Sequence, residues 1–566
     1  MSIISRMLYG STIFGGAVVK RKLDRYTRNC RIINEKVLFK ILRENSKSEI
    51  GLKHDFKSIK TVEEYKRRLP ITEYKDYEDY IKRMAMGEKN ILISEDVAYF
   101  GHTSGTTGKQ KLIPVTKSNR RRNSKYMALL LNKFCYDNFK KDWNYGRGLM
   151  IADIVTTTYS KGGIPICSAT SGGMKGIKPL LPYLYTSPIE VMEIEDRKTA
   201  LYLHLLFGLK DNKLMYISGV FISSVLDLLR TLEERHKDLV EDIRKGRINS
   251  QINIGETKRQ SLNKLLTPDA ARADELEAEF VKGFKGIVRR VWPSLVYIAT
   301  VTGANFSIYD EKVNYYTDSI PIYSAAYGAT EAMVGINPYV DKIRYVITPD
   351  TAFYEFIPVE GSETGKVLRL DEVKLGGKYE IVVTSYIGLY RYKIGDVVRV
   401  VGFYNSCPEI EFLYRKKQIL NMVAEKTTED HITSAITKTI KQLNLNLVDY
   451  TSQPDISVTP GRYVFYFEFR DSLYEYDVRR FEKVLDEEIK TSNPAYGRAR
   501  NGNKLARIKV VLLKPNTFNL IKDALLTGGI SKNQVKIPRV ITDNEKILNI
   551  INKNRIPKEN YMENSI

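Results

Sequence analysis

Between residues 221 and 246 the apolar side chains Phe221, Val225, Leu228, Leu232, Leu239 and Ile243 recur every three, four or seven positions. That spacing puts them on one face of a helix. Acids dominate the middle of the stretch, and Gly246 supplies the stop. The first hundred residues read as largely helical and end in "PITEYKDYEDYIKRMAMGE". There Pro70 stops one segment, Thr72 caps the next and Gly87 closes it. Between such helices lie short β-like runs: "LVYIAT" at 295–300, "IPIYSAAYG" at 320–328 and "EIVVTS" at 380–385. Strands alternating with helices predict an α/β architecture with a mixed or parallel sheet.

The pattern changes toward the end of the chain. "RYVFYFEF" (462–469) alternates with strand period, "YDVRRFEKVLDEEI" (476–489) reads as helix and "ARIKVVLL" (506–513) as strand. This predicts a compact α+β unit with a boundary near residue 415, inside "FLYRKKQ". The expected domains are therefore 1–415 and 416–566, the second large enough to fold by itself. No internal repeat or low-complexity linker interrupts the chain.

The formal net charge of +22 invites a polyanion as partner. The cations are spread out, however, and the densest groups, "KRKLDR" (20–25) and "NRRRNSK" (119–125), accompany no zinc-finger or RNA-recognition pattern. The charge is read as solvated surface plus an anionic substrate, with no nucleic-acid partner. Cys30, Cys135, Cys167 and Cys407 lie far apart without a CxxC, which suits neither a zinc site nor a disulfide framework and fits a reducing cytoplasm. The apolar run Met7–Val19 is short for a membrane span and has its basic cluster on the wrong side for a signal peptide. The expectation is a cytoplasmic protein without stable membrane association, this segment being the one place where a membrane surface could be touched.

"YFGHTSGTTGKQKLIPVT" (99–116) packs small hydroxyls, glycines and two cations into one loop before an apolar run. A P-loop fails twice, at Thr103 where it needs glycine and at Gln110 where it needs Ser or Thr. A nucleophile elbow fails around Ser104, flanked two positions away by His102 and Thr106. What remains is a phosphate-gripping loop. Gly105 and Gly108 open the backbone, Thr103, Ser104, Thr106 and Thr107 offer hydroxyls, and Lys111 adds positive charge.

"TSGTTGKQK" resembles the phosphate-binding motif of adenylate-forming enzymes, and the longer stretch is similar to that of the GH3-type acyl acid–amido synthetases. Further motifs follow in order. "YGATEAMVGIN" (327–337) resembles the family's second nucleotide motif, with Ala329 where Ser is frequent. "GLYRYKIGDVVRVVGF" (388–403), "ILNMVAEKTTED" and "GGISKNQVKIPR" (528–539) resemble its later motifs, so the likeness runs from about residue 70 to 540. The resemblance implies a large N-terminal α/β domain with a β-barrel-like portion and a small mobile α+β C-terminal domain. It also implies roles. Tyr327 would face adenine, with Gly328 and Ala329 beside it among the ATP-binding residues. Thr330 would meet the α-phosphate, Glu331 a Mg²⁺ ion, Asp396 the ribose and Lys426 the nucleotide. Lys536 would reach the acyl phosphate, and Thr302 and Gly303 would line the acyl pocket. A microbial member of the family is expected.

The implied chemistry is adenylation of a small carboxylic acid by ATP, then transfer of the acyl group to an amine, in most relatives an amino acid. The protein would act as a monomer or weak homo-oligomer. His102 is a candidate base, and one of Arg120, Arg121 and Arg122 a candidate partner for a substrate carboxylate. Two rival readings are an acid–CoA ligase sharing the acyl-AMP intermediate and a non-catalytic basic binding protein on a degenerate ligase fold.

Overall fold

The computed structural model describes residues 3–103, 111–302, 310–359, 365–416, 420, 422, 425, 427–455, 457–458, 460–470, 478–502, 504–526, 535–541 and 544–557. Helix Ile222–Lys245 forms where its periodicity places it, and Gly246 caps it at φ +63°. Its apolar stripe packs beside helix Arg197–Leu209, which is buried on all sides from residue 199 to 209 and so runs through the core. The carbonyls at the end of that inner helix need partners. Trp292 Nε1 donates to Gly208 O at 2.9 Å, and the Arg272 guanidinium to Leu209 O at 2.8 Å.

Both helices cover a four-stranded sheet of Gly148–Ile151, Tyr216–Phe221, Tyr297–Val301 and Ile322–Tyr323, in that order and parallel throughout. A second four-stranded sheet has the order Lys111–Thr116, Val97–Thr103, Pro165–Cys167, Thr158–Tyr159. An eight-stranded sheet runs Leu368–Arg369, Ala352–Pro358, Lys378–Ser385, Tyr392–Tyr404, Cys407–Arg415, Tyr345–Ile347, Met333–Ile336, Ala326–Gly328. The α/β architecture is the one expected.

Two local expectations need correction. The run 320–328 is not one strand: Ile322–Tyr323 closes the parallel sheet and Ala326–Gly328 edges the eight-stranded one. Fully buried Asn337 causes the change, its side chain donating to Ser324 O at 3.0 Å and its backbone N–H to Ala325 O at 2.9 Å. Thr72 does not cap a helix. Its hydroxyl donates to Tyr390 O at 2.9 Å, and the helical turn Tyr74–Asp76 is closed by the Asp76 carboxylate, which accepts from Glu73 N at 2.8 Å.

The chain divides into two compact units. The first comprises Met1–Thr103, Leu112–Ile394 and Val398–Glu411; the second comprises Ser104–Lys111, Gly395–Val397 and Phe412–Ile566. In the second, Leu447–Asp455 pairs antiparallel with Arg462–Phe469, which pairs parallel with Lys509–Leu512. Helix Val478–Ser492 makes the crossover, and Phe481 packs edge-on to Phe467 and Phe469. All four cysteines are free and buried; the Cys30 thiol donates to Ser406 O at 3.2 Å and the Cys407 thiol to Ile347 O at 3.3 Å.

Candidate active site

In the first unit the stretch 326–337 folds as a β-hairpin. Gly328 pairs with Met333 and Tyr327 with Gly335, and the Ala329 N–H donates to Ala332 O at 2.9 Å. Thr330 and Glu331 therefore sit at the tip of a four-residue turn, held by their neighbours' backbone. Glu331 is only 8% exposed. The Tyr327 ring leans on Tyr345 at 5.7 Å. The tip lies against strand Val97–Thr103, and a Cβ on Gly101 would come within 2.6 Å of Thr330 Cγ2. Glycine at 101 thus lets the strand that leads into the Gly/Ser/Thr loop touch the hairpin tip. Lys111 is the half-buried first residue of strand Lys111–Thr116.

Ligands of open α/β sheets bind beyond the carboxyl ends of parallel strands. Thr302 lies there, just after Tyr297–Val301, and its hydroxyl donates to Asp310 Oδ1 at 2.7 Å. Burial raises the Asp310 carboxyl above its ordinary range, against the pull of that hydrogen bond. Beyond Gly148–Ile151, the Ser171 hydroxyl contacts Asp153 at 2.7 Å. Of the three arginines after the loop, Arg122 stacks on Tyr386 at 3.8 Å, Arg120 lies beside Gly176 and Arg121 is exposed.

In the second unit Asp396 lies on strand Tyr392–Tyr404, 3% exposed, and accepts from Arg415 Nε at 2.6 Å. Lys536 stands in the same field. Its side chain retains exposed surface, yet the protein mass around it pushes the ammonium down to about 8; Arg415 lowers it further and Asp396 and Glu429 oppose. Arg539 pins this segment: its guanidinium contacts Asp449, donates to Tyr450 O at 2.6 Å and faces Glu429 at 3.4 Å. Burial nevertheless pushes the Glu429 carboxyl up to about 7, outweighing Arg539 and Lys536.

Ser104, Gly105, Thr106, Thr107, Gly108, Gly303 and Lys426 lie outside the described residues, as do the side chains of His102 and Thr103. Asp310, Arg415, Glu429 and Arg539 were not singled out from the sequence. Arg539 stands three residues after Lys536 and Arg415 at the expected domain border. Arg415, however, acts on Asp396 of the neighbouring strand, and Arg539 on Glu429 of a helix and on Asp449 and Tyr450 of a strand far off in sequence. Among the described residues no three His, Cys, Asp or Glu side chains converge as a metal cluster. A Mg²⁺ ion needs none here, since it is commonly held by one or two carboxylates plus substrate phosphates; the nearly buried Glu331 carboxylate suits that role.

Three domain models of one family match the chain in order: the GH3 family N-terminal domain over residues 19–322, the central domain over 345–415 and the C-terminal domain over 430–545. The chain belongs to the GH3 family. Curated GH3 relatives include "Probable indole-3-acetic acid-amido synthetase GH3.11" of Oryza sativa subsp. japonica, 31% identical over 93% of this chain and 94% of that protein. A second is the 4-substituted benzoates-glutamate ligase GH3.12 of Arabidopsis thaliana, 31% identical over 92% of this chain and 95% of its own. Among solved structures, the GH3.15 acyl acid amido synthetase superposes with a TM-score of 0.85 at 28% identity, covering 95% of this chain and 96% of that one. These relatives are plant proteins, so they lend no support to the microbial origin expected from the motifs.

Proposed function

We propose that this GH3 protein uses ATP to activate a small carboxylic acid and passes the acyl group to an amino acid, forming an amide. A carboxylate oxygen of the acid attacks the α-phosphorus of ATP, the bond to the β-phosphate oxygen breaks, and pyrophosphate leaves. The amino nitrogen then attacks the acyl carbon of the acyl-adenylate, AMP leaves and the nitrogen loses a proton. The observation that carries this reading is the contact of the Thr330–Glu331 turn with Gly101 at the entrance to the Gly/Ser/Thr loop.

In the first step phosphate charge is met by the loop hydroxyls and N–H groups of 103–108, by Lys111, by Thr330 and by Lys536. Tyr327, Gly328 and Ala329 form the side against which adenine rests, Asp396 takes the ribose hydroxyls, and Lys426 adds charge beside the nucleotide. Glu331 would hold Mg²⁺, which supplies charge neutralisation at the phosphates. Thr302 and Gly303 border the acyl group. Residues 1–415 are assigned as the adenylation domain and residues 416–566 as a mobile lid domain, a device that suits a reaction whose adenylate must be shielded from water. Free buried thiols support a reducing cytoplasm as the setting, and the protein is taken as a monomer or weak homo-oligomer.

The test is pyrophosphate release from ATP across aryl, indolyl and aliphatic acids, with product analysis after addition of amino acids or coenzyme A. Acid-dependent release with an amide product supports the proposal. A thioester product assigns a CoA ligase instead, and the absence of both ATP binding and release rejects catalysis.

A further inference from the structure

The first helix, Ile3–Arg28, has a fixed orientation. A Cβ on Gly16 would lie 2.3 Å from Leu129 O and 2.6 Å from Lys133 Cβ, so the helix meets its neighbour by backbone contact at that point. Tyr9, Val19, Leu23 and Thr27 share that inner side and are buried. The opposite side is thereby turned outward. It carries Ile4, Met7, Phe14 and Val18, which are 52%, 70%, 75% and 53% exposed. Their spacing of three, seven and four places them on one face, with only Gly10 and Ser11 between, over a length of about 21 Å.

The same face continues into exposed Arg21, Lys22, Arg25 and Arg28, over about another 10 Å. Asp24 is the one acid of the helix, and it is occupied by Lys20 at 3.1 Å and the Tyr404 hydroxyl at 2.6 Å. An outward apolar stripe followed by cations that pair with no carboxylate among the described residues suits a helix that lies on an anionic bilayer. No helix among the described residues is long and apolar enough to cross a membrane, and the buried inner face of this one keeps it attached to the protein.

We propose that this face docks reversibly on an anionic phospholipid surface. Ile4, Met7, Phe14 and Val18 enter the headgroup–acyl boundary, and Arg21, Lys22, Arg25 and Arg28 meet the lipid phosphates and carboxylates. A second copy fits the face less well. Stable protein interfaces engage about 20–30 residues a side, whereas this stripe offers four large apolar ones, and each copy carries +22. A nucleic acid would satisfy the cations and leave the apolar stripe in water.

The experiment is co-sedimentation of the full chain with vesicles of phosphatidylcholine alone and of phosphatidylcholine with phosphatidylserine, at low and high salt, beside light scattering without lipid. Binding is expected only to the phosphatidylserine vesicles and weakens as salt rises. Met7→Asp with Phe14→Asp lowers it at least about tenfold, and Arg21→Glu with Arg25→Glu also lowers it. All four side chains point outward, so unchanged melting verifies that the variants fold. Equal vesicle binding by the Met7→Asp/Phe14→Asp variant would assign the effect to overall charge and overturn the proposal. So would failure of the parent chain to bind. A dimer that Phe14→Asp dissolves, with no vesicle binding, would give the face to a second copy.

Discussion

Arg391 belongs to the family-like motif of residues 388–403, yet its role is structural. Held at φ +50°, it forms a bidentate pair with buried Glu355, at 3.0 and 2.9 Å, and donates to the carbonyls of Lys66 and Leu69 at 2.8 and 2.7 Å. Removing one partner of such a pair strands the other charge in the core. Arg391→Ala is therefore expected to cost about 3–5 kcal/mol in denaturant unfolding, and a loss below about 1 kcal/mol would contradict the clamp. Lys536 makes a prediction of the opposite kind. Its pKa is lowered to about 8, chiefly by the protein mass around it, so it loses its proton as pH rises through that value. If the ammonium meets phosphate charge, kcat/KM for pyrophosphate release falls above about pH 8, because this ratio reports the free enzyme. Lys536→Arg, which stays charged, removes that limb, whereas a limb that persists in the variant belongs to another group. Sequence alone pointed to Lys536 and Asp396 through their motifs. It missed Arg415 and Arg539, because the first matters through Asp396 on a neighbouring strand and the second through Glu429, Asp449 and Tyr450.

Among elements, the hairpin at 326–337 joins local sequence to site geometry. Its tip rests on Gly101, where a methyl group would press to within 2.6 Å of Thr330 Cγ2. Gly101→Ala should displace the tip by a fraction of an ångström or more while the strand stays paired, and misplacement of about 1 Å costs on the order of 10² in rate. The expected result is a circular-dichroism spectrum like the parent's with pyrophosphate release reduced about a hundredfold. Unchanged release would mean that the tip does not position phosphate. Elements whose signal is local were legible. The stripe of Ile222–Lys245 and the alternation of Arg462–Phe469 needed no tertiary information. The break between Tyr323 and Ala326 was not legible, because it is imposed by Asn337. Nor was the fate of Thr72, whose partner Tyr390 lies more than three hundred residues away.

At the scale of the whole molecule the candidate residues divide between the two compact units. Thr330, Glu331 and Thr302 belong to the first; Asp396 and Lys536 belong to the second. The α/β then α+β order was readable from the change of hydrophobic period, but that division of labour was not, since Asp396 precedes the expected boundary and yet groups with the second unit. A two-step reaction gives this division a consequence. Lys536 is assigned to charge that develops at the phosphates while the adenylate forms, and the amine step requires no new charge there. Lys536→Ala should therefore slow acid-dependent pyrophosphate release by about 10²–10³, the usual effect of losing one well-placed donor. Conversion of a chemically prepared acyl-adenylate to the amide should change by less than about tenfold. Equal losses in both steps would instead make Lys536 a general support of the bound nucleotide, and a loss confined to the amide step would move it to the second half-reaction.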